Sequence, residues 1–337
     1  MDNLSSASRS FLAAVLVLGL LGTGLAGCGG GSGSQDVSRE MNMVTVNWIE
    51  GMAMTYMQEA ILEDSMDMDV TVNEVSGGGT AFSSVAQGDA DFFNEAWLPT
   101  THKEPWNKNQ DQSKKLGYTY KGTSVGVVVP EYVEVDSFPD FADYVNQLDG
   151  TINGIESGAA INGQIRNTIE LYEMQDEFEV QAASGPASWQ ALESAINSNE
   201  PIAVAGWYPH WKWSTFDLKY VNGAKTNQNV DIWGGPEDIF TIVDNEFTEE
   251  FPKKVVCFLK EFEANDEQLN SLMDDFRNRG DMSKPEAAKQ WIRDNRDDVA
   301  QWMDQAEECA ASSEPVETLP DDATFSSTPD TSSSESM

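Results

Sequence analysis

Short apolar stretches alternate with longer segments of helical periodicity along most of this chain. In the first part, the pattern predicts strands at 43–48, 69–75 and 91–96, and helices at 52–64 and 80–87. After a β-branched run at 125–129, it predicts strands at 151–155, 178–183 and 201–206, and helices at 161–172 and 188–197. A further strand at 239–243 precedes helices over 249–308. Short strands that alternate with helices are typical of an α/β fold, in which helices cover both faces of a parallel sheet.

The two α/β blocks are connected by the chain more than once, which predicts two lobes with a hinged cleft between them. We expect the first lobe to comprise residues 41–126 and 238–310, and the second lobe residues 127–237. In open parallel sheets, ligands bind beyond the carboxyl ends of the strands. The cleft is therefore the expected binding site.

The N-terminal residues predict export and a lipid anchor. Residues 1–27 read as a signal peptide, because a basic residue precedes an apolar run at 11–21 that is too short to span a bilayer. The sequence Leu25-Ala26-Gly27-Cys28 resembles a bacterial lipobox, in which the cysteine is lipidated. An ordinary signal peptide with an incidental Cys28 is the alternative.

Two low-complexity segments flank the expected fold. Residues 28–40 are rich in glycine and serine and predict a flexible tether. Residues 311–337 predict a disordered acidic tail. The mature protein would then be a periplasmic or cell-surface monomer attached to a membrane by its lipid. Outside the cytoplasm, Cys257 and Cys309 could form a disulfide, or they could remain as two buried thiols.

The charge of the chain narrows the possible partners. A net charge of −37 excludes nucleic acid as a natural partner, since phosphates would be repelled. We interpret this acidity as adaptation to a saline habitat, where salt screens the repulsion between the acidic groups. An acidic protein from an ordinary habitat is the alternative.

Three of the ten tryptophans lie where a predicted strand gives way to a loop. These are Trp48, Trp97 and Trp207, whereas Trp291 and Trp302 fit the terminal helical pattern as core residues. Trp106, Trp189 and Trp233 are ambiguous. Equivalent positions at three strand ends indicate a shared aromatic binding site.

Four motifs resemble the substrate-binding proteins of glycine betaine ABC transporters, over about residues 43–305. They are Val46-Asn47-Trp48, Ala96-Trp97-Leu98-Pro99-Thr100-Thr101-His102, Ile155-Glu156-Ser157-Gly158-Ala159-Ala160 and Gly206-Trp207-Tyr208-Pro209-His210-Trp211. The resemblance implies a two-lobed periplasmic-binding-protein fold of type II and an ABC permease as partner. It also implies which residues bind the ligand. Trp48, Trp97 and Trp207 would surround the quaternary ammonium (onium) group of the ligand. His102 and the backbone N–H groups of Ala160 and Ile161 would donate to the carboxylate of the ligand.

The sequence departs from the family pattern in two places. Ser157 and Ala160 stand where relatives often have proline and additional glycine, so the shape of this loop is open. Relatives often have a histidine near the position of Phe240, so we assign no ligand-binding role to Phe240. His210 is interpreted as structural, and Tyr208 is a weaker candidate for the site.

The chemistry of these residues independently favours a zwitterionic onium ligand. A quaternary ammonium has no N–H to donate, but aromatic faces attract it. A carboxylate needs donors, which a helix N-terminus and a histidine provide. The alternatives are choline, carnitine, proline betaine or a sulfonium osmolyte, or a carbohydrate stacked on the tryptophans.

An enzyme is not expected. The sequence has no nucleophile elbow, no Walker-type phosphate loop and no Cys/His metal spacing. We therefore expect neither a cofactor nor a bound metal. We interpret the many carboxylates as surface groups that keep the protein hydrated.

Overall fold

In the computed structural model, the first α/β block forms as its apolar pattern predicts. The structure describes residues 37–222, 237–321 and 323. The block contains β1 (Glu40–Val46), α1 (Ile49–Met66), β2 (Asp69–Val75), α2 (Gly78–Gln87) and β3 (Phe92–Leu98). Both β2 and β3 pair with β1 in parallel. Helix α1 is buried over most of its length, because it lies between these strands and helices of the C-terminal region.

The longest strand connects the two blocks. Strand β4 (Ser113–Pro130) follows the short helix α3 (Lys103–Asn109). Its residues 113–123 pair antiparallel with β9 (Glu237–Asp244), and residues 124–128 pair antiparallel with β7 (Val204–Tyr208). The sequence pattern predicts only 125–129 of this strand and does not predict α3.

The second block repeats the α/β alternation. After a 3₁₀ helix (Phe138–Asp143) come β5 (Thr151–Asn153), α4 (Ala160–Leu171), β6 (Glu179–Gln181) and α5 (Gly185–Ser198). Strand β7 is followed by α6 (Lys212–Thr215) and β8 (Leu218–Tyr220). Strand β5 pairs in parallel with β6 and β7.

The strands join in the order β2-β1-β3-β9-β4-β7-β5-β6, with β8 paired to β4. Because β9 runs antiparallel to both β3 and β4, the sheet is mixed and not purely parallel as expected. The described residues belong to one compact unit, so the lobe boundaries at 126–127 and 237–238 stay predictions.

Helices complete the fold. They are α7 (Phe247–Glu250), α8 (Lys253–Glu261), α9 (Asp266–Arg277), α10 (Lys284–Asp294) and α11 (Arg296–Ala311). Trp291 and Trp302 are buried and stacked with ring centroids 6.0 Å apart, which confirms them as core residues.

A disulfide joins Cys257 in α8 to Cys309 in α11, with the Cα atoms 5.8 Å apart. Within the described ranges, no helix combines the length and apolar character needed to cross a bilayer.

The first part of the predicted tail packs against the body. Residue 311 still belongs to α11, and Val316 and Leu319 contact the core. The N–H of Leu319 donates to the carbonyl of Lys115 at 2.7 Å, so any disordered segment begins later than residue 311. The signal peptide, Cys28, most of the tether and Trp233 lie outside the described residues.

Candidate functional site

One cavity brings together all six residues predicted to bind ligand. The space free of protein atoms within its lining is about 340 Å³, including solvent at its open side. The six are Trp48, Trp97, His102, Ala160, Ile161 and Trp207, and the lining also includes Glu50, Thr101, Val125, Ile155 and Ala159. The first block supplies one wall and the second block supplies the other.

The strand ends place the three tryptophans. Trp48 lies between β1 and α1, as predicted. Trp97 and Trp207 lie inside β3 and β7, so their predicted positions just past the strands are wrong by one or two residues. Pairing of Trp97 with Ile239 and of Trp207 with Val125 extends both strands. All three side chains are at most 7 % exposed.

His102 is fixed as a neutral hydrogen-bond donor. Its Nδ1 accepts the N–H of Trp97 at 3.0 Å, so the proton of the neutral ring is on Nε2. Burial lowers the pKa of His102 to about 3. The ring also stacks on Trp48, with centroids 5.8 Å apart. His102 thus presents a neutral N–H donor next to an aromatic wall.

Two residues that the sequence reasoning missed hold His102 in place. Glu237, at the start of β9, accepts the N–H groups of Thr100 and Thr101 at 3.2 and 2.8 Å, and it also accepts the hydroxyl of Thr101. These bonds fix the turn that leads to His102. At Gly78, a Cβ would lie 2.6 Å from His102 Nε2, so only glycine leaves room for the ring.

The loop before α4 is fixed by a buried amide. Asn162 accepts the N–H of Ile155 at 3.0 Å and donates to the carbonyls of Ile155 and Glu156, both at 2.9 Å. These bonds give the loop a defined shape despite the family departures at Ser157 and Ala160. Helix α4 begins at Ala160, so the N–H groups of Ala160 and Ile161 have no carbonyl one turn earlier within the helix. They can donate to an anion at the cavity.

Residues 39–294 match the family model described as the substrate-binding domain of an ABC-type glycine betaine transport system. The chain belongs to this family. Its matched region contains all six residues predicted to bind ligand.

Two relatives in this family extend the comparison. The glycine betaine/carnitine transport binding protein GbuC of Listeria monocytogenes is 34% identical over 166 residues, or 49% of this chain and 53% of GbuC. The match thus spans about half the length of that relative. The crystal structure of lactococcal OpuAC, closed and complexed with glycine betaine, is 31% identical, with a TM-score of 0.70. That match covers 79% of this chain and 100% of OpuAC.

A more distant structure supports the fold alone. The glycine betaine/L-proline-binding protein ProX of Borrelia burgdorferi is 24% identical, with a TM-score of 0.72 over 79% of this chain and 99% of ProX. Together with OpuAC, it confirms the predicted periplasmic-binding-protein fold of type II.

This substrate-binding domain also buries two carboxyl groups beside its cavity, which corrects their interpretation as surface solvation. Glu50 and Glu95 are at most 1 % exposed. Burial raises the pKa of Glu50 to about 7. Burial and repulsion from Glu50 raise the pKa of Glu95 well above its ordinary value. Burial distinguishes these two residues, like Glu237 and Asp238, from the exposed acids of the chain, and the sequence does not reveal it.

The remaining candidates lie behind the cavity wall. The ring of His210 packs 5.1 Å from that of Trp207 and 4.7 Å from that of Trp189. Neither His210 nor Tyr208 lines the cavity, in line with the structural interpretation of His210. Trp189 supports Trp207, with ring centroids 5.0 Å apart. Phe240 is buried in β9.

Proposed function

We propose that this protein binds glycine betaine, or a similar quaternary-ammonium osmolyte, and delivers it to an ABC importer. The observation that carries this proposal is the cavity itself. It combines the rings of Trp48, Trp97 and Trp207 with hydrogen-bond donors at His102 and at the N-terminus of α4.

The tryptophans account for recognition of the onium head. A desolvated indole face contributes about 2 kcal/mol to binding a cation. Three faces together therefore offset the cost of removing a trimethylammonium group from water. Hydrogen bonding also favours a quaternary ammonium group, because a protonated amine would leave its N–H donors unsatisfied in the aromatic part of the cavity.

The donors account for recognition of a carboxylate tail. The neutral His102 offers Nε2–H, and α4 offers the N–H groups of Ala160 and Ile161 together with its dipole. Carnitine, proline betaine and sulfonium osmolytes share a cationic head and a carboxylate. Choline has no carboxylate, so it cannot form the stronger charge-assisted hydrogen bonds with these donors.

A carbohydrate fits the cavity less well. Sugar rings stack on tryptophan, but each ring also needs several hydrogen bonds for its hydroxyl groups. The polar side chains of the lining are Glu50, Thr101 and His102, and the other lining residues are apolar or aromatic.

We further propose that Cys28 is lipidated and tethers the mature protein outside the cytoplasm, where it would work as a monomer with a membrane permease. Strand β4 spans both blocks, so closure of the blocks around the ligand would bend or twist this strand. A ligand that contacts both walls would then bind the closed form more tightly and shift the population toward it.

Calorimetric titration of the mature protein tests the ligand assignment. Glycine betaine, carnitine, dimethylsulfoniopropionate, choline and simple sugars are compared in the same buffer. We expect saturable binding of the zwitterionic onium compounds and no heat with sugars. Sugar binding without any onium binding would overturn the proposal. Replacement of Cys28 by alanine, followed by fractionation of cells, tests the anchor: loss of membrane association is expected.

A further inference from the structure

Three ionisable side chains from different elements are buried next to the cavity. They are Glu50 of α1, Glu95 of β3 and Lys212 of α6, and each is at most 1 % exposed. Among the described residues, no hydrogen bond of ordinary geometry reaches either carboxyl oxygen of Glu95 or the Nζ of Lys212, although the side chains of Glu50 and Trp97 and the backbone of Gly51 lie near enough to influence the Glu95 carboxyl. Charged groups are rarely buried in this way unless they compensate one another.

Glu50 interacts electrostatically with both of the other groups. The positive charge of Lys212 acts on Glu50 and opposes the rise in the pKa of that carboxyl. Glu50 in turn opposes the lowering of the Lys212 pKa that burial causes. The carboxylate of Glu95 lies against α1 at Gly51, where a Cβ would almost coincide with Glu95 Oε2.

The cluster also touches the aromatic wall. The Nζ of Lys212 lies 4.2 Å from the ring centroid of Trp207 and 3.5 Å from that of Trp189. Trp207 and Glu50 both line the cavity. The charge of the cluster is therefore felt by whatever the cavity holds.

The net charge of the cluster follows from the cost of burial. Two protons shared among Glu50, Glu95 and Lys212 make the cluster neutral, whether the lysine and one carboxyl group hold them or both carboxyl groups do. Any other proton count leaves a net charge in a low-dielectric environment. Nearby, burial lowers the pKa of His210, aided by the positive charges of Lys212 and Arg277, and Arg277 itself stacks on Trp211.

We propose that Lys212 is a specificity-determining residue, which keeps the Glu50–Glu95–Lys212 cluster neutral and thereby makes the cavity prefer zwitterionic onium ligands to onium ions with a net positive charge. The inference rests on the proposed function and deepens it. Lys212 acts through Trp207 and Glu50 and need not contact the ligand.

The preference follows from charge balance. Glycine betaine carries one charge of each sign, so it adds no net charge to a neutral site. Choline carries a single positive charge, which a neutral cluster leaves uncompensated. Without Lys212, the cost of burial protonates both carboxyl groups in the empty cavity, but one of them can ionise when choline enters, and its negative charge then compensates the positive charge of choline.

The test compares the choline and glycine betaine dissociation constants of wild-type protein and Lys212→Met by calorimetry at pH 8. Methionine keeps an unbranched side chain and removes the charge. We expect the ratio of choline affinity to glycine betaine affinity to rise by roughly tenfold or more. Lys219→Met is the matched control, because Lys219 is paired with Asp136 at 2.6 Å, and its removal should leave the ratio unchanged.

A second variant shifts the charge in the opposite direction. In Glu50→Gln/Glu95→Gln, only Lys212 remains ionisable, so no negative charge can form in the cluster to compensate choline, and the ratio should fall below that of wild type. A merely structural role would weaken both ligands together and leave the ratio constant. This double variant also decides the matter if thermal melting shows Lys212→Met to be unfolded.

The outcomes separate the two proposals. An unchanged ratio in a folded Lys212→Met, or in the double glutamine variant when Lys212→Met does not fold, overturns the role of Lys212 while the proposed function stands. Wild-type protein that binds neither onium ligand overturns both.

Discussion

Trp97 and His102 are joined by two hydrogen bonds that run in opposite directions. The backbone N–H of His102 donates to the carbonyl of Trp97 at 2.8 Å, and the N–H of Trp97 donates to His102 Nδ1 at 3.0 Å. One wall of the aromatic site and one donor for the carboxylate are therefore a single rigid unit. The orientation of the His102 ring follows from the backbone of Trp97.

This unit also depends on a glycine in α2. Gly78→Ala places a methyl group against His102 Nε2 and should displace the ring from the cavity. We expect glycine betaine to bind roughly tenfold more weakly, because a hydrogen bond to a charged carboxylate is lost. The measurement is calorimetric titration of both proteins.

Gly79→Ala is the matched control for that variant. The next residue of the same helix has open space around its Cβ position, so its substitution should leave affinity unchanged. Alanine within a helix should also stabilise it slightly. Equal affinities of the two variants would contradict the role assigned to Gly78.

The fold follows from the sequence wherever local pattern and burial agree. Strand β2 has the predicted bounds, because its apolar alternation matches its pairing with β1. The first half of β4 shows no such pattern, since Lys114 and Lys115 interrupt it. That half is a strand because β9 pairs with it, as in Lys114 opposite Val243. Such long-range pairing leaves no local signal.

The candidate site likewise contains residues that the sequence predicts and residues that it does not. Its tryptophans and His102 lie in distinctive motifs next to strand ends, so sequence reasoning finds them. Asn162 and Glu237 act through hydrogen bonds to distant or adjacent backbone, and their residue types alone predict nothing. Glu50 differs from surface acids only in its burial, which depends on how the two blocks pack.

Replacement of Trp207 should separate the effect of its ring from that of its volume. Trp207→Phe keeps a weaker aromatic face, whereas Trp207→Leu fills space without a ring quadrupole. Affinity for glycine betaine should decrease from Trp to Phe to Leu, with Leu at least roughly tenfold weaker than wild type. Wild-type affinity in Trp207→Leu would remove this residue from the aromatic site.

The Cys257–Cys309 disulfide closes a loop with a sequence separation of 52 residues. Its loss frees the unfolded chain, and the entropy of a loop of that size corresponds to about 4 kcal/mol. Urea unfolding should therefore show a lower free energy of unfolding for Cys257→Ser/Cys309→Ser, and for wild type in reductant. Reductant should have no effect on the double variant, and a response there would show that it acts elsewhere.

Glu59 should make stability decrease as the pH rises. Burial, with repulsion from Glu63, raises the pKa of Glu59 from 4.5 to about 7 in the folded protein. Between these two values, the unfolded chain releases its proton while the folded protein keeps it, so the unfolded state binds fewer protons and stability falls. Glu59→Gln should reduce the loss of melting temperature between pH 4.5 and 7. Glu308→Gln, at an exposed position of α11, should not change that loss.

The net charge of −37 should make the melting temperature depend on salt. Repulsion between acidic groups destabilises the compact state. As the concentration of sodium or potassium chloride rises, the distance over which the acidic groups repel one another becomes shorter. We expect the melting temperature to increase from low salt into the molar range. Sucrose provides the control, because it is excluded from the protein surface but screens no charge. If chloride salts gave a flat or falling curve while sucrose still stabilised the protein, the acidity would not be an adaptation to salt.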